Sequence, residues 1–301
     1  MSRNNGNSKN PLHGLWALTN RDLKKWYKNP IILMLGIIQP IIWMSLLGKA
    51  MNLGAIFTSN SISFPQINPP LSIPQQIQIG QWLSNVASSA MQNTFGTADY
   101  FSYMAVGMMS FVVMFTAMFS GMSMVFDRRL GFLNKVLSTP VARGSILMAK
   151  ILSAVIRALV QATIVLGIAY VLGLSVGANF TLLNLLGVYA ALFLISMGLS
   201  SIFILIAIRS TRQETQMAVV NLLNLPLMFA SNALFPASLM PDWLQTITKI
   251  NPVTYATDAT RQLILYTVDL HQLAIDFLFL GAFAVVFSTI GIVLSWRYLS
   301  K

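Results

Sequence analysis

The sequence predicts an all-α integral membrane protein with six transmembrane helices, and three observations carry that prediction. Six apolar runs are strung along the whole chain, most of them near the twenty or so residues that a hydrocarbon layer of about 30 Å requires. Charged residues make up 9% of the chain and hydrophobic ones 55%, whereas a soluble domain is roughly a quarter charged. Finally, none of the 19 Lys and Arg residues falls between Lys49 and Arg128. Cations beside spans are retained on the cytoplasmic side, so a cation-free interval of this length marks the opposite side.

The remaining cations give the topology. Arg3, Lys9, Arg21, Lys24, Lys25 and Lys28 precede the first run, and Arg128, Arg129, Lys135, Arg143 and Lys150 separate the second from the third. Arg209 and Arg212 follow the fourth run, and Arg297 and Lys301 close the chain. Both termini are therefore expected in the cytoplasm. The formal net charge of +11 is spread over span ends rather than gathered on one folded surface, which points to anionic membrane lipid and away from nucleic acid. With no cysteine in the chain, disulfides, thiolate metal sites and a cysteine nucleophile are excluded. His13 and His271 lie outside the runs with no ligand-spaced companions, so neither a metal nor a nucleophilic site is expected. The first thirty residues are polar and basic, without a signal-peptide core, so the first span is expected to serve as the insertion signal.

Each element follows from local pattern, and together they form a single domain over residues 1–301. In 1–29, Leu12, Leu15, Trp16, Leu23, Trp26 and Tyr27 recur near helical spacing among cations, the pattern of an amphipathic helix lying along cytoplasmic headgroups. Asn29-Pro30 breaks it and opens the first span, 31–53, since proline suits a first helical position. An Asn-, Gln-, Ser- and Pro-rich external loop fills 54–100, with a helix expected from Gln75 to Met91. Further spans are expected at 103–126, 151–172, 182–208, 217–233 and 273–296, with a cytoplasmic loop at 127–150. The stretch 234–266 is semi-polar and broken by prolines. Its Trp243 and Tyr255 suit a headgroup boundary, and any irregular backbone that enters the hydrocarbon must be covered by protein or line a wet cavity. Interfacial or re-entrant helices forming an external gate are expected there.

Within the cytoplasmic loop, Phe132, Leu133, Val136 and Leu137 fall on one helical face and Pro140 ends the helix. Such a helix either lies on lipid or docks as a knob into a partner's groove.

The run Phe119-Ser-Gly-Met-Ser-Met-Val-Phe-Asp127-Arg-Arg-Leu-Gly131, continuing to Leu137-Ser-Thr139-Pro140 and Lys150, resembles the corresponding region of ABC-2 type exporter permeases, particularly the daunorubicin-resistance and nodulation-factor branch. A second stretch, Phe235-Pro236, Met240-Pro241-Asp-Trp243 and Asn251-Pro252-Val-Thr-Tyr255 with Asp258 and Arg261, resembles that family's signature before the last span. The resemblance implies a permease dimer, here a homodimer, seated on separate ATP-binding subunits in a prokaryotic plasma membrane. It implies that 131–143 is the helix coupling nucleotide-driven closure to the spans, with Arg129, Gly131, Thr139, Pro140 and Arg143 in the coupling corner and Phe132, Leu133, Val136 and Leu137 as the docking face. The chain departs from many members at Arg129-Leu130, where those place an acidic residue before the glycine. No Gly-x-x-x-x-Gly-Lys-Ser/Thr run is present, so ATP and Mg are expected on the partner and no cofactor on this chain.

Polar residues in the spans complete the inventory. Arg157 reads as snorkelling or paired within the bundle before it reads as a substrate contact. Gln39, Gln161, Asn221 and Asn224 read first as interhelical hydrogen-bonding groups, and Gln39, Asn221 and Asn224 are candidates for a substrate path. Asp258 and Arg261 are spaced to pair at i, i+3. The expected activity is export of a hydrophobic or amphiphilic cargo such as a drug-like compound, lipid or lipid-linked glycan. An ATP-independent channel or secondary carrier is one rival, although the only acidic candidate in the spans is Asp276, near an end. The other is a lipid-modifying membrane enzyme, which needs clustered intramembrane carboxylates or histidines.

Overall fold

The computed structural model describes residues 11–50, 72–97, 99–139, 141, 143–210 and 212–298. Among these residues every regular element is helical. The amphipathic start forms α1 (Pro11–Tyr27). Asn29 takes an extended conformation and Pro30 opens α2 (Pro30–Trp43), which runs on as a wider π-helical segment, Met44–Ala50. Pro40 inside α2 lacks the N–H that would bond the preceding turn. In the expected loop, Ser72 and Gln75 form a capping box that starts α3 (Ile73–Phe95). The helix extends beyond the Gln75 to Met91 expectation and stops at Gly96, in the left-handed conformation. The rest of that loop lies outside the described residues.

Asp99 accepts from the Ser102 amide at 2.8 Å and begins α4 (Tyr100–Arg129). A short α5 (Phe132–Leu137) follows, then α6 (Arg143–Val171) and α7 (Leu182–Arg209), the latter capped by Thr181. Next come α8 (Gln213–Phe229), a 3-10 turn at Ala237–Leu239, α9 (Asp242–Thr248), α10 (Pro252–Ile264) and α11 (Leu270–Tyr298). Four stretches are long and apolar enough to cross a membrane: Ile77–Arg129, which contains α4, then Gly144–Val171, Leu182–Arg209 and Leu270–Leu294. Helices α2 and α8, of 14 and 17 residues, stand where the other two expected spans lie. Helix α8 is shorter than the roughly 20 residues of a full span, whereas α2 reaches that length together with its π-helical continuation.

Helix α4 is the axis of the bundle, packed against α6, α7, α10, α8 and α2, while α7 also holds α11. One apolar core fills the middle and outer part of the bundle. A second gathers Met124, Val125, Ile146, Ile151, Ile204 and Ala207 with Leu133 and Val136 of α5. The α4–α7 crossing is close because Gly121 has no side chain. A Cβ there would lie 2.6 Å from the Phe203 carbonyl oxygen, and small residues are what let spanning helices approach this closely. Gly121→Val is expected to push the two helices apart and cost about 1–3 kcal/mol as overpacking. Thermal unfolding of the detergent-purified protein reads that cost.

Candidate functional site

Three regions concentrate polar chemistry, and the first is a buried ionic corner at the end of the bundle where α1 packs on α6. In α1, Leu15, Thr19, Asp22 and Trp26 share one helical side, and Thr19 and Asp22 are buried where α1 packs on α6. Asp127, one residue past the expected cytoplasmic end of its span, is 2% exposed and Lys150 5% exposed. Lys150 Nζ meets Asp22 at 2.8 Å and Asp127 from the other side, and it also donates to Ser123 Oγ at 3.3 Å. Arg21 bridges Asp22 at 3.1 Å and Asp127 at 3.2 Å, and Lys25 reaches Asp127 at 3.3 Å. Burial alone would raise the Asp127 pKa, but the charge of Lys150 and hydrogen bonds from Arg21 and Lys150 outweigh it and hold the carboxyl well below its ordinary value.

The same corner fixes α5. Arg21 lies over the Phe132 ring, 3.2 Å from its centroid, and Gly131 turns the chain into α5 with φ 69°, a conformation that favours glycine. The apolar face expected to dock on a partner is turned inward instead. Leu133 and Val136 are buried in the second core, while Phe132 and Leu137 are partly buried against it. The physical reason is proximity: a six-residue amphipathic helix lying on its own bundle buries its apolar stripe in the nearest apolar surface. What faces outward is Leu130, Asn134, Lys135, Ser138 and Thr139. The flanks are pinned by Arg128, which donates to the Ile208 carbonyl at 2.7 Å, and by Arg129, which donates to Gln213 Oε1 at 3.1 Å. Pro140 and the Arg143 side chain lie outside what is described, although Arg143 begins α6.

The second region is the stretch before α11. Asn251 accepts from the Val253 amide at 2.9 Å, capping α10, and donates to the carbonyls of Leu227 at 3.0 Å and Ala230 at 2.6 Å. Pro252 follows as the first helical residue. Tyr255 donates to the Lys249 carbonyl at 2.6 Å and stacks on Phe279. The i, i+3 pairing of Asp258 with Arg261 is not made. Asp258 accepts from Asn232, while the Arg261 guanidinium, 1% exposed, donates to three carbonyls. Tyr103 O is met at 3.2 and 3.1 Å, Asn232 O at 2.8 Å and Ala233 O at 2.7 Å. The Tyr103 ring lies beneath it at 3.4 Å. The carbonyls win because the turn after α8 presents Asn232 and Ala233 oxygens without helical donors, and the Tyr103 carbonyl of α4 lies beside them. Phe235, stacked on Tyr100, and Trp243 are exposed, at 45% and 66%. Pro236 and Pro241 precede the 3-10 turn and α9. Asp276 is fully buried on α11, and each of its oxygens accepts a side-chain amide, from Gln262 and from Gln272, both at 3.0 Å.

Between α1, α2, α4, α6 and α8 lies the third region, a cleft of about 330 Å³ lined by Gln39, Phe119, Met122, Arg157, Gln161 and Met217, among others. Of the three candidate path residues only Gln39 lines it. Asn221 is exposed one turn beyond Met217, and Asn224 belongs to the buried Gln216, Val220, Asn224, Met228 stripe on another side of α8. The residues that do line the cleft include Thr116, whose hydroxyl donates to Gln161 Oε1 at 2.5 Å. Gly36 makes room for that amide, since a Cβ there would lie 2.1 Å from Gln161 Nε2. Gln161, one turn past Arg157 on the same helical side, thus makes an interhelical hydrogen bond of the kind its sequence position suggests.

Comparison with known proteins agrees with this architecture. Residues 13–265 match the family profile described as ABC-2 type transporter. The chain is 27% identical over 248 residues to "Putative transport permease ycf38" of Cyanophora paradoxa, covering 82% of this chain and 72% of that protein. It is 31% identical over 147 residues to "Probable multidrug ABC transporter permease YbhR" of Escherichia coli strain K12, covering 48% and 39%. It is 24% identical over 167 residues to "Daunorubicin resistance ABC transporter permease protein DrrB1" of Streptomyces coeruleorubidus, covering 56% and 58%.

Proposed function

The chain belongs to the ABC-2 type transporter family, and from that premise we propose that it is the six-span permease subunit of an ATP-driven exporter. It forms a homodimer in a prokaryotic plasma membrane, with both termini cytoplasmic, and moves a hydrophobic or amphiphilic cargo out of the cytoplasm or inner leaflet. A separate ABC ATPase holds ATP and Mg, so this chain transports rather than catalyses. The observation that carries the reading is α5, a short helix that meets α1 through Phe132 and Arg21 and shares a core with α4 and α6 through Leu133 and Val136, beside the Asp127–Lys150 pair that ties α4 to α6. A push on α5 is delivered to two long helices and to the amphipathic α1 at once. Its outward residues Leu130, Asn134, Lys135, Ser138 and Thr139 then form the coupling surface. The inward Leu133 and Val136 give it stiffness. At the outer end, α9 and α10 form the external gate.

Purification of the chain with its native neighbours is expected to bring an ATPase subunit with it. A Leu130→Asp, Lys135→Glu double variant is expected to bind that subunit about tenfold or more weakly, roughly 1.4 kcal/mol, with the permease still monodisperse. Absence of any ATPase, or unchanged association and transport in the double variant, would overturn the coupling assignment.

A further inference from the structure

We propose that the cleft beside Arg157 binds an amphiphile carrying an anionic headgroup, drawn from the cytoplasmic side, with its anion on the Arg157 guanidinium and its apolar part along Phe115, Phe119, Met122 and Met217. The inference rests on the permease reading above for the direction of travel, and it narrows the cargo to one charge class.

Arg157 lies six residues past Ile151, where the sequence predicts the third span to begin, or about 9 Å along the helix axis. Its Nε donates to the Ser153 carbonyl at 3.1 Å, one turn back, which draws the guanidinium toward the cytoplasmic end of α6. Yet it forms no ion pair among the described residues, in contrast to Arg21, Lys25 and Lys150, all of which do. An ionisable group at this depth is costly unless it faces a partner or a cavity, and Arg157 lines two neighbouring recesses. One is the apolar cleft. The other, of about 230 Å³, is lined by Asp22, Lys25, Lys150 and Leu130. Arg157, Trp26, Ser123 and Phe126 line both, so the guanidinium stands where a polar mouth meets an apolar interior. That is the arrangement an amphiphile needs, headgroup at the junction and chain beyond it.

The charge of the site selects the headgroup. The one carboxylate lining the mouth, Asp22, is already held by Lys150 at 2.8 Å, while Asp127 is shared among Arg21, Lys25 and Lys150. A cationic amphiphile would therefore meet Arg157 and Lys25 with no free counter-charge. An uncharged one would leave the guanidinium without a partner in a poorly hydrated site. An anion meets a planar fork of donors with N–H groups to spare.

The full-length protein, purified in uncharged detergent without any ATPase, tests this with a fluorescent long-chain alkyl sulfonate and the alcohol of the same chain. The sulfonate is expected to bind at least tenfold more tightly than the alcohol. In Arg157→Gln that preference is expected to vanish with alcohol binding unchanged, whereas Arg157→Lys keeps part of it and Phe119→Ala weakens both probes together. Equal binding of the two probes to the unmodified protein would overturn the proposal, whether or not any variant folds. So would a preference that survives Arg157→Gln. Displacement of the sulfonate by millimolar inorganic phosphate would also overturn it, by showing a site for a free anion. Because the measurement involves no ATPase, absence of the charge preference in the unmodified protein alongside intact ATPase association would reject this inference alone.

Discussion

On the coupling proposed above, Asp127→Asn is expected to uncouple the permease from an ATPase partner, and it is expected to destabilise the end of the bundle that carries α1 by about 3 kcal/mol or more, the usual cost of removing one partner from a buried charge cluster. The side chain changes by one atom, so packing is preserved and the effect reports charge. Asparagine leaves Lys150, 5% exposed, with only Asp22 as counter-ion, and leaves Arg21 without its bridge from α1 to α4. The expected signature is therefore local. Protease sensitivity in α1 should rise before the bundle itself unfolds, and ATP hydrolysis should continue in the assembled complex with transport lost. The sign of the pH dependence agrees. A carboxyl whose folded pKa is depressed contributes stability that is present above its unfolded value and lost as pH falls through the folded one. With Asp127 held down to about 2, acid should remove its contribution only as pH drops from about 4 toward 2. Near pH 7 the wild-type corner should be insensitive to pH, and Asp127→Asn should reproduce there what only strong acid does to the parent. If α1 is equally protected in parent and variant, the corner does not tether it.

Arg261→Met is expected to have an effect of similar size at the other end of the molecule. Methionine retains much of the volume and the apolar stem. It removes the donors that serve Tyr103 O, Asn232 O and Ala233 O, and each buried acceptor left without a partner costs about 1–3 kcal/mol. A total of roughly 3 kcal/mol is expected, since hydrogen bonds between spanning helices are individually modest. It should appear as a lower thermal midpoint and as faster hydrogen exchange in 230–236 and at the start of α4. Arg261→Lys should recover only part, because one ammonium cannot reach three carbonyls on two sides. An unchanged midpoint in Arg261→Met would show that water replaces the guanidinium without cost.

The helical membrane architecture, α1 and the Asn29-Pro30 start of α2 are legible in the sequence because each rests on a local pattern, whether apolar length, 3.6-residue periodicity or a proline at a first helical position. The ionic corner was not. Asp22, Asp127 and Lys150 lie more than a hundred residues apart at the extremes, and each alone reads as a solvated charge at a span end. Amphipathicity identified the apolar side of α5 correctly, but periodicity does not say what that side meets, so Leu133 and Val136 were assigned to a partner rather than to the bundle. Arg261 was paired with Asp258 for a related reason. Side-chain spacing is visible in a sequence, whereas unsatisfied carbonyls after a helix end are not. Asn221 and Asn224 lie only about 60° apart around the helix, but the edge of the packed face of α8 falls between them, leaving Asn221 exposed and Asn224 buried.

Helix α10 has a consequence for the route of export. Eleven of its thirteen residues are buried, and it sits among α4, α7, α8 and α11, bolted to them by Arg261 and Asn251. The outer end of one subunit is thus plugged by its own backbone, so the subunit is a wall and not a tube. On the export route proposed above, a cargo entering beside Arg157 would leave along the outside of that wall, through a seam with a neighbouring molecule or with lipid. In a molecule built this way, the width of the seam limits the size of the cargo, and the interior of the subunit has no say in it.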